Sequence, residues 1–198
     1  MRTDVLAAMI AFCFVSGVTP GPNNLMLMTS GVNFGFRRTL PHLMGVVFGY
    51  ALMVALVGFG LDAIFSLFPA LLPTMRWLGA AYMLWLAWKI ANSGPVGDGE
   101  ARGAPLGFFG AAAFQWINPK GWVMAVSALT AYAVVDNYAR NVAIIALTYF
   151  VIAFPGSGVW ALLGASMRRA LADPRIARRF NWTMAALLAA SIATVFVE

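Results

Sequence analysis

The chain has 198 residues, of which 62% are hydrophobic and 10% charged, and its formal net charge is +6. Soluble domains are about half apolar and about a quarter charged, so this composition excludes an ordinary soluble protein. Apolar runs of membrane-spanning length recur throughout, which predicts a single all-α integral membrane domain over residues 1–198 in contact with a lipid bilayer. The basic residues lie between these runs, where they set orientation, so no nucleic-acid partner is expected.

The apolar runs and the turn signals predict six transmembrane helices. Their approximate limits are 5–32, 40–61, 73–92, 106–131, 141–166 and 177–197. The N-terminal run has no small-residue cleavage site after it, so we interpret it as a retained helix rather than a signal peptide. A polar, Gly/Pro-rich linker at about 93–103 divides the chain into pseudo-repeats at about 1–92 and 104–198. Each half then contains three helices.

The basic residues predict the orientation of these helices. Nine lie in the connections after spans one, three and five, and three lie on the opposite side. Because lysine and arginine are in excess in cytoplasmic loops, the odd-numbered connections should be cytoplasmic and both termini periplasmic. Three spans per half is an odd number, so the two halves should form an inverted repeat.

Two of the predicted helices, the first and the fourth, are interrupted by proline and glycine. The interruptions are Thr-Pro-Gly-Pro-Asn-Asn at 19–24 and Gln-Trp-Ile-Asn-Pro-Lys-Gly at 115–121. Pro119 follows Pro20 by 99 residues, half of the chain, and the same offset relates Tyr149 to Tyr50. A pair of interrupted segments in corresponding halves is the best sequence indication of a transporter's binding site. The pattern therefore predicts a small secondary transporter.

Lys120 is the one formal charge placed deep in a predicted span. It lies about 14 residues from one end and about 11 from the other, so each interface is roughly 16–21 Å away at the helical rise. A lysine at that depth normally faces a polar interior and is a candidate functional residue. The alternative is a shifted helix that brings Lys120 to an interface.

Neutral polar groups at similar depth can bind an amino acid's carboxylate and ammonium groups or satisfy the backbone that proline frees. For Asn118 and Asn23 both roles stay open, whereas for Asn24 and Gln115 the scaffolding role is favoured. The candidate substrate-binding residues are Lys120, Asn118, Asn23, Thr19, Asn24, Gln115, Tyr50 and Tyr149. The residues expected to break or hinge helices are Pro20, Gly21, Pro22, Pro119, Gly121, Pro155 and Gly156. The run from Pro155 should interrupt the fifth span, as a hinge or a close-packing point.

The remaining titratable residues indicate little. One cysteine, Cys13, and one histidine, His42, cannot build a thiolate or imidazole metal site, so no metal and no cofactor are expected. His42 follows Arg37 and Arg38 and is interpreted as a surface residue near the interface, although it can titrate near neutral pH. The aspartates and glutamates fall near helix ends or in loops, which predicts no carboxylate proton relay in mid-membrane. If protons drive transport, Lys120 or groups at the cavity mouths must then titrate.

These motifs resemble the lysine exporter (LysE/RhtB) superfamily over nearly the whole chain. The resemblance rests on Thr-Pro-Gly-Pro-Asn at 19–23, Arg-Trp-Leu-Gly-Ala-Ala-Tyr at 76–82 and Asn-Pro-Lys-Gly at 118–121. The extended motif at 115–120 is similar to the cysteine/O-acetylserine exporter branch. The resemblance implies export of amino acids or their derivatives across the bacterial inner membrane, driven by protons. Many members carry aspartate where this chain has Asn23, so proton-coupling details do not transfer.

Charge pairing favours a small neutral amino acid as the substrate, because no buried carboxylate is predicted to bind a cationic one. Two alternatives remain open: a passive channel-like facilitator and an integral-membrane enzyme. An enzyme needs clustered nucleophiles, acids or metal ligands, and the sequence offers no such cluster. The sequence leaves the oligomeric state open, with a homo-oligomer among the options.

Overall fold

The computed structural model describes residues 3–61, 67, 70–92, 104–133 and 137–196. These residues form α-helices with no β-strand among them. The helices are α1 (Thr3–Val18), α2 (Pro22–Leu56), α3 (Leu71–Ala91), α4 (Phe108–Phe114), α5 (Pro119–Tyr132), α6 (Tyr138–Met167) and α7 (Pro174–Phe196). A π-helical turn, Val57–Leu61, extends α2, and 3₁₀ turns occupy Gln115–Ile117 and Ala170–Ala172. The predicted linker at 93–103 lies outside the described residues.

Helix α2 folds back on itself at Gly35. That residue has φ 75° and ψ 165°, a backbone conformation that favours glycine. Ser30 Oγ and His42 Nδ1 are 2.9 Å apart although the residues are 12 positions apart, a rise of about 18 Å in a straight helix. Residues 22–34 (the first arm) and 36–56 (the second arm) therefore run in opposite directions. Only one non-helical residue, Gly35, therefore lies between the first two predicted spans, where the sequence predicts a longer loop at 33–39.

Both predicted interruptions are present in the helix boundaries. The first lies between α1, which ends at Val18, and α2, which begins at Pro22. The second contains a 3₁₀ turn and Asn118, and α5 then begins at Pro119. Proline suits the first position of a helix because its φ is preset and its missing N–H would have no intrahelical partner there. Pro22, rather than Pro20, is thus the structural counterpart of Pro119.

The expected interruption at Pro155 is wrong. Helix α6 continues through this residue from Tyr138 to Met167. Proline is tolerated inside transmembrane helices because neighbouring helices and local adjustments satisfy the backbone group that it frees. The adjacent Gly156 is buried against α1, where an added Cβ would lie 3.4 Å from Val18 Cγ2. The run is therefore a close-packing point between α6 and α1.

Helices α2 and α6 share the most extensive interface, and α3 packs against α7. Glycine permits the closest approach: a Cβ on Gly31 would overlap the Ala161 carbonyl, and one on Gly164 would overlap the Met28 carbonyl. Similarly, Gly45 lies against the Phe108 carbonyl of α4. Small residues that let backbones approach are typical of helix interfaces in membranes.

The outer surface of the helices is strongly apolar. Phe109, Trp77 and Val151 expose 84%, 67% and 61% of their surface, a pattern that a water-facing protein avoids. The helical segments Pro22–Gly60 and Tyr138–Met167 are long and apolar enough to cross a membrane, and Thr3–Val18 and Phe108–Ile117 are shorter apolar helices. Since Pro22–Gly60 turns at Gly35, it supplies two arms rather than one span. The fold is consistent with a membrane protein.

Candidate functional site

A small cavity lies where the two interruptions meet. Its volume is about 50 Å³, which is room for a few water molecules. It is lined by Ser16, Gly17, Gly21, Pro22, Asn23, Asn24, Val46, Tyr50, Asn118, Lys120, Gly121, Met124, Tyr149, Ala153 and Ser157. These residues come from α1, both arms of α2, α5 and α6. The cavity lining contains no carboxylate.

The carbonyl groups at the end of α1 are all engaged, although Pro20 and Pro22 supply no backbone donor. The Thr19 hydroxyl donates to Val15 O at 2.6 Å and to Ser16 O at 3.0 Å. Asn24 Nδ2 donates to Gly17 O at 2.8 Å and to Thr19 O at 2.9 Å. Trp160 Nε1 reaches Val18 O at 3.0 Å from α6. Buried helix ends need such partners because each loses its intrahelical bonds, so the first interruption is a fully supported element.

Lys120 links the two interruptions directly. Its ammonium group donates to Thr19 O at 2.8 Å and to Pro20 O at 3.2 Å. The side chain is half-buried and passes over Gly21, where a Cβ would lie only 2.7 Å from Lys120 Cδ. A cation at the C-terminal end of a helix is also favoured by the helix dipole. The lysine thus lines the cavity and bonds the first interruption; its role in transport stays a prediction.

A second link is an amide pair between Asn23 and Gln115. Asn23 Nδ2 donates to Gln115 Oε1 at 2.8 Å, and Gln115 Nε2 donates back to Asn23 Oδ1 at 3.2 Å. Gln115 Nε2 also donates to Ala111 O at 2.8 Å, and the residue is fully buried. This pair fixes the start of α2 against the 3₁₀ turn that precedes α5.

Two buried polar atoms at the cavity lack a partner among the described residues: Asn118 Oδ1 and Tyr50 Oη. Asn118 is 2% and Tyr50 6% exposed. Most buried polar groups are hydrogen-bonded, so these two atoms are positions where a water molecule or a ligand in the cavity can bond. The Tyr50 ring packs edge-on against Tyr149, with centroids 4.8 Å apart at 87°. These two tyrosines, which are 99 positions apart in the chain, therefore share one wall of the cavity.

The N-termini of α2 and α5 open onto the same cavity. Gly21 caps α2 and Asn118 caps α5, each in extended conformation and each without a side-chain hydrogen bond to the first turn. The first turns of both helices therefore present main-chain N–H groups that no cap side chain engages. These groups and the positive end of the helix dipole favour an anion. With Lys120 beside them, the cavity can hold a carboxylate.

The structure divides the predicted site residues into two groups. The side chains of Thr19, Asn24 and Gln115 satisfy the backbone or another side chain, and Thr19 and Gln115 do not line the cavity. Lys120, Asn118, Asn23, Tyr50 and Tyr149 do line it, together with Gly21, Pro22 and Gly121. Sequence reasoning missed Ser16, Ser157 and Trp160, which carry no motif and join the site only through the packing of α1 on α6.

The expected surface position of His42 is also wrong. The imidazole is 1% exposed and shares a hydrogen bond with Ser30, while its Nε2 has no partner among the described residues. Arg37 and Arg38, which suggested an interface, are indeed exposed. Because the turn at Gly35 is so tight, His42 falls on the inner face of the hairpin, only about one helical turn beyond the two arginines.

Comparisons with known proteins agree with the motifs. The family model described as "LysE type translocator" matches residues 14–197. The cysteine/O-acetylserine efflux protein of Salmonella typhimurium (strain LT2) is 31% identical over 197 residues, covering 99% of this chain and 100% of its own. The proteins of that name from Klebsiella pneumoniae and Escherichia coli K12 are 32% and 30% identical, covering 100% and 99% of this chain and the whole of each relative. No solved structure matches the chain.

Proposed function

Since this chain belongs to the LysE type translocator family, we propose that it exports small neutral amino acids from the bacterial cytoplasm across the inner membrane. Membership of this family makes the protein a membrane transporter and not an enzyme. The observation that carries the proposal is the meeting of both proline interruptions at one cavity, bridged by Lys120. Cysteine and O-acetylserine are the substrates we infer, because the relatives at about 30% identity are named for their efflux.

The geometry supports a specific way of binding a zwitterion. Its carboxylate is attracted to the N-termini of α2 and α5 and to the Lys120 ammonium group. As Lys120 turns toward that carboxylate, the substrate's own ammonium group takes its place at Thr19 O and Pro20 O. Asn118 Oδ1 accepts a further bond from the ligand. The substrate's ammonium group thus replaces the Lys120 ammonium group at Thr19 O and Pro20 O, and its carboxylate becomes the new partner of Lys120.

Charge and size favour a small neutral side chain. The cavity has space for only a few water molecules and has no carboxylate in its lining. A lysine or arginine substrate would bring a second cation that this site leaves unpaired, at a large desolvation cost. Cysteine and O-acetylserine carry no such charge.

For transport, we propose alternating access around this cavity, with the six predicted segments acting as two inverted three-helix repeats. The α1–α2 and α4–α5 interruptions then form the fixed site against which the halves rock. We further propose that the linker and the segment after α6 are cytoplasmic, as the basic residues predict, and that the segment before α6 and both termini are periplasmic. Proton entry then drives export. A passive facilitator would use the same cavity without this coupling.

Uptake of labelled cysteine into everted membrane vesicles tests the proposal. Respiring vesicles containing the protein should accumulate cysteine above its external concentration, and a protonophore should abolish the accumulation. Control vesicles from cells lacking the protein set the background, and lysine and arginine serve as competitors that should not inhibit. Equilibration that ignores the protonophore would establish the passive facilitator instead. No transport of any small amino acid would refute the proposed function.

A further inference from the structure

The Ser30–His42 pair lies inside the α2 hairpin, and neither residue is among those that line the cavity. Ser30 is on the first arm and His42 on the second, with Oγ and Nδ1 2.9 Å apart. Both residues are buried, at 7% and 1% exposure. The bond therefore ties the two arms together two turns inside the reversal at Gly35.

This pair is continuous with the cavity. His42, Val46 and Tyr50 are four residues apart, which places them on one face of the second arm. Val46 and Tyr50 line the cavity, so the imidazole lies one turn beyond it, toward Gly35. On α6, Ser157 lines the same end of the cavity, and a Cβ on the adjacent Gly158 would lie 3.6 Å from Leu43 of the second arm. The imidazole thus lies near the end of the cavity that Ser157 lines.

No carboxylate faces the imidazole from the elements packed around it. The first arm and α4 contain no titratable residue, and α6 contributes only Tyr138, Arg140 and Tyr149, at its other end or in the cavity. Helices α5 and α7 also contact α2, and their titratable residues are Lys120, Tyr132, Arg175, Arg178 and Arg179, none of them a carboxylate. Arg37 and Arg38 on its own arm are exposed, and Arg168 lies beside Gly35 at the turn. A buried imidazolium without a counter-charge is costly, so the ring is neutral in this conformation, and its protonation favours a conformation in which water reaches it.

We propose that His42 is the site that binds the coupling proton, an inference that rests on the proposed export function. One proton binds at Nε2, the nitrogen without a partner, and the ring changes from neutral to singly charged while Ser30 retains Nδ1. Because the charged ring needs hydration, proton binding shifts the equilibrium between two conformations of the hairpin. The same shift alters access to the adjoining cavity, and release of the proton on the cytoplasmic side restores the neutral, closed pair.

His42 is the only histidine of the chain, so labelled histidine reports on this ring alone. The full-length protein, purified through a tag without histidine, should show the ¹⁵N-histidine signal change from protonated to neutral as the pH rises from about 5 to about 9. Saturating cysteine should move the midpoint by about one pH unit, because linkage makes proton and substrate affinities depend on each other by about tenfold. A ring that stays neutral over this range would overturn the inference.

The matching transport experiment compares His42→Gln with wild type in everted vesicles. We expect cysteine exchange between the two sides within about twofold of wild type and gradient-driven accumulation reduced at least about tenfold, because the amide binds no proton. Thr29→Val is the control: Thr29 is buried next to Ser30, and its hydroxyl bonds only Leu25 O within its own helix. It should behave as wild type in both assays.

Failure of the inference is distinguishable from failure of the proposed function. His42→Gln vesicles that accumulate cysteine as wild type does would refute a coupling role for His42 and leave export intact. Wild-type vesicles that transport nothing would refute export, and the histidine titration would still decide whether His42 binds a proton. If His42→Gln fails to insert, Ser30→Ala replaces it: its ring keeps Nε2, and an unchanged titration midpoint would refute the role of the pair.

Discussion

The two interruptions look alike in sequence but differ in what they leave unsatisfied. In the first, each carbonyl group from Val15 to Pro20 accepts a hydrogen bond from Thr19, Asn24, Trp160 or Lys120. In the second, Asn118 keeps a buried, unpartnered Oδ1 and Lys120 reaches out to the other interruption. The carbonyl groups of the first interruption are therefore fully hydrogen-bonded, whereas the second has a free acceptor at Asn118 Oδ1. In the proposed mechanism, the second interruption supplies the groups that change partners when a substrate binds.

The largest expected effect follows removal of the cation that joins the two interruptions. Lys120→Ala should reduce cysteine uptake about 100-fold or more, because hydrogen bonds from a charged donor contribute about 1.5–3 kcal/mol each. Expression and membrane insertion should be retained, because the Lys120 side chain is only half-buried. Lys89→Ala, the other lysine of the chain and exposed on α3, is the control for both measurements. Normal uptake by Lys120→Ala would remove the lysine from the mechanism.

The next effect should fall on stability rather than transport. Asn24→Ala removes both bonds from Nδ2 and leaves Gly17 O with no other donor, which should cost about 1–3 kcal/mol of folding free energy. We expect a lower thermal midpoint in detergent, measured by the fluorescence of the tryptophans. Asn92→Ala, which removes a single exposed bond to Trp88 O, should leave that midpoint unchanged. An unaltered midpoint for Asn24→Ala would show that the first interruption is not supported by this residue.

A smaller effect on binding should distinguish Asn118 from Asn24. Asn118→Ala removes an amide whose Oδ1 has no protein partner, so the loss should appear as about a tenfold higher KM for cysteine, equivalent to about 1.4 kcal/mol. The thermal midpoint of the substrate-free protein should stay close to that of wild type. A lower midpoint with unchanged KM would instead identify Asn118 as a second scaffold residue, and the contrast between the two interruptions would disappear.

How far the sequence predicts this site depends on the distance over which each interaction acts. The interruptions, the depth of Lys120 and the pairing of Tyr50 with Tyr149 follow from local composition and from the half-chain offset. The partners do not: Lys120 meets Pro20 across 100 positions, and Trp160 meets Val18 across 142. The arginines before His42 predict a surface position, and only the reversal at Gly35 brings the residue inside. Such contacts depend on helix packing, which no local pattern specifies.

The smallest expected effect concerns the hydrogen bond from Trp160 to Val18 O, which joins residues 142 positions apart. Trp160→Phe keeps the aromatic packing but removes the donor to Val18 O, a carbonyl that Pro22 cannot satisfy. One lost hydrogen bond should lower the folding free energy by about 1 kcal/mol, seen as a modest decrease in thermal midpoint with uptake nearly unchanged. Trp182→Phe, on the exposed face of α7, tests whether loss of any indole has this effect. Equal midpoints for the two variants would mean that water or lipid headgroups replace the bond from Trp160. The end of α1 would then depend less on α6 than its hydrogen bonds indicate.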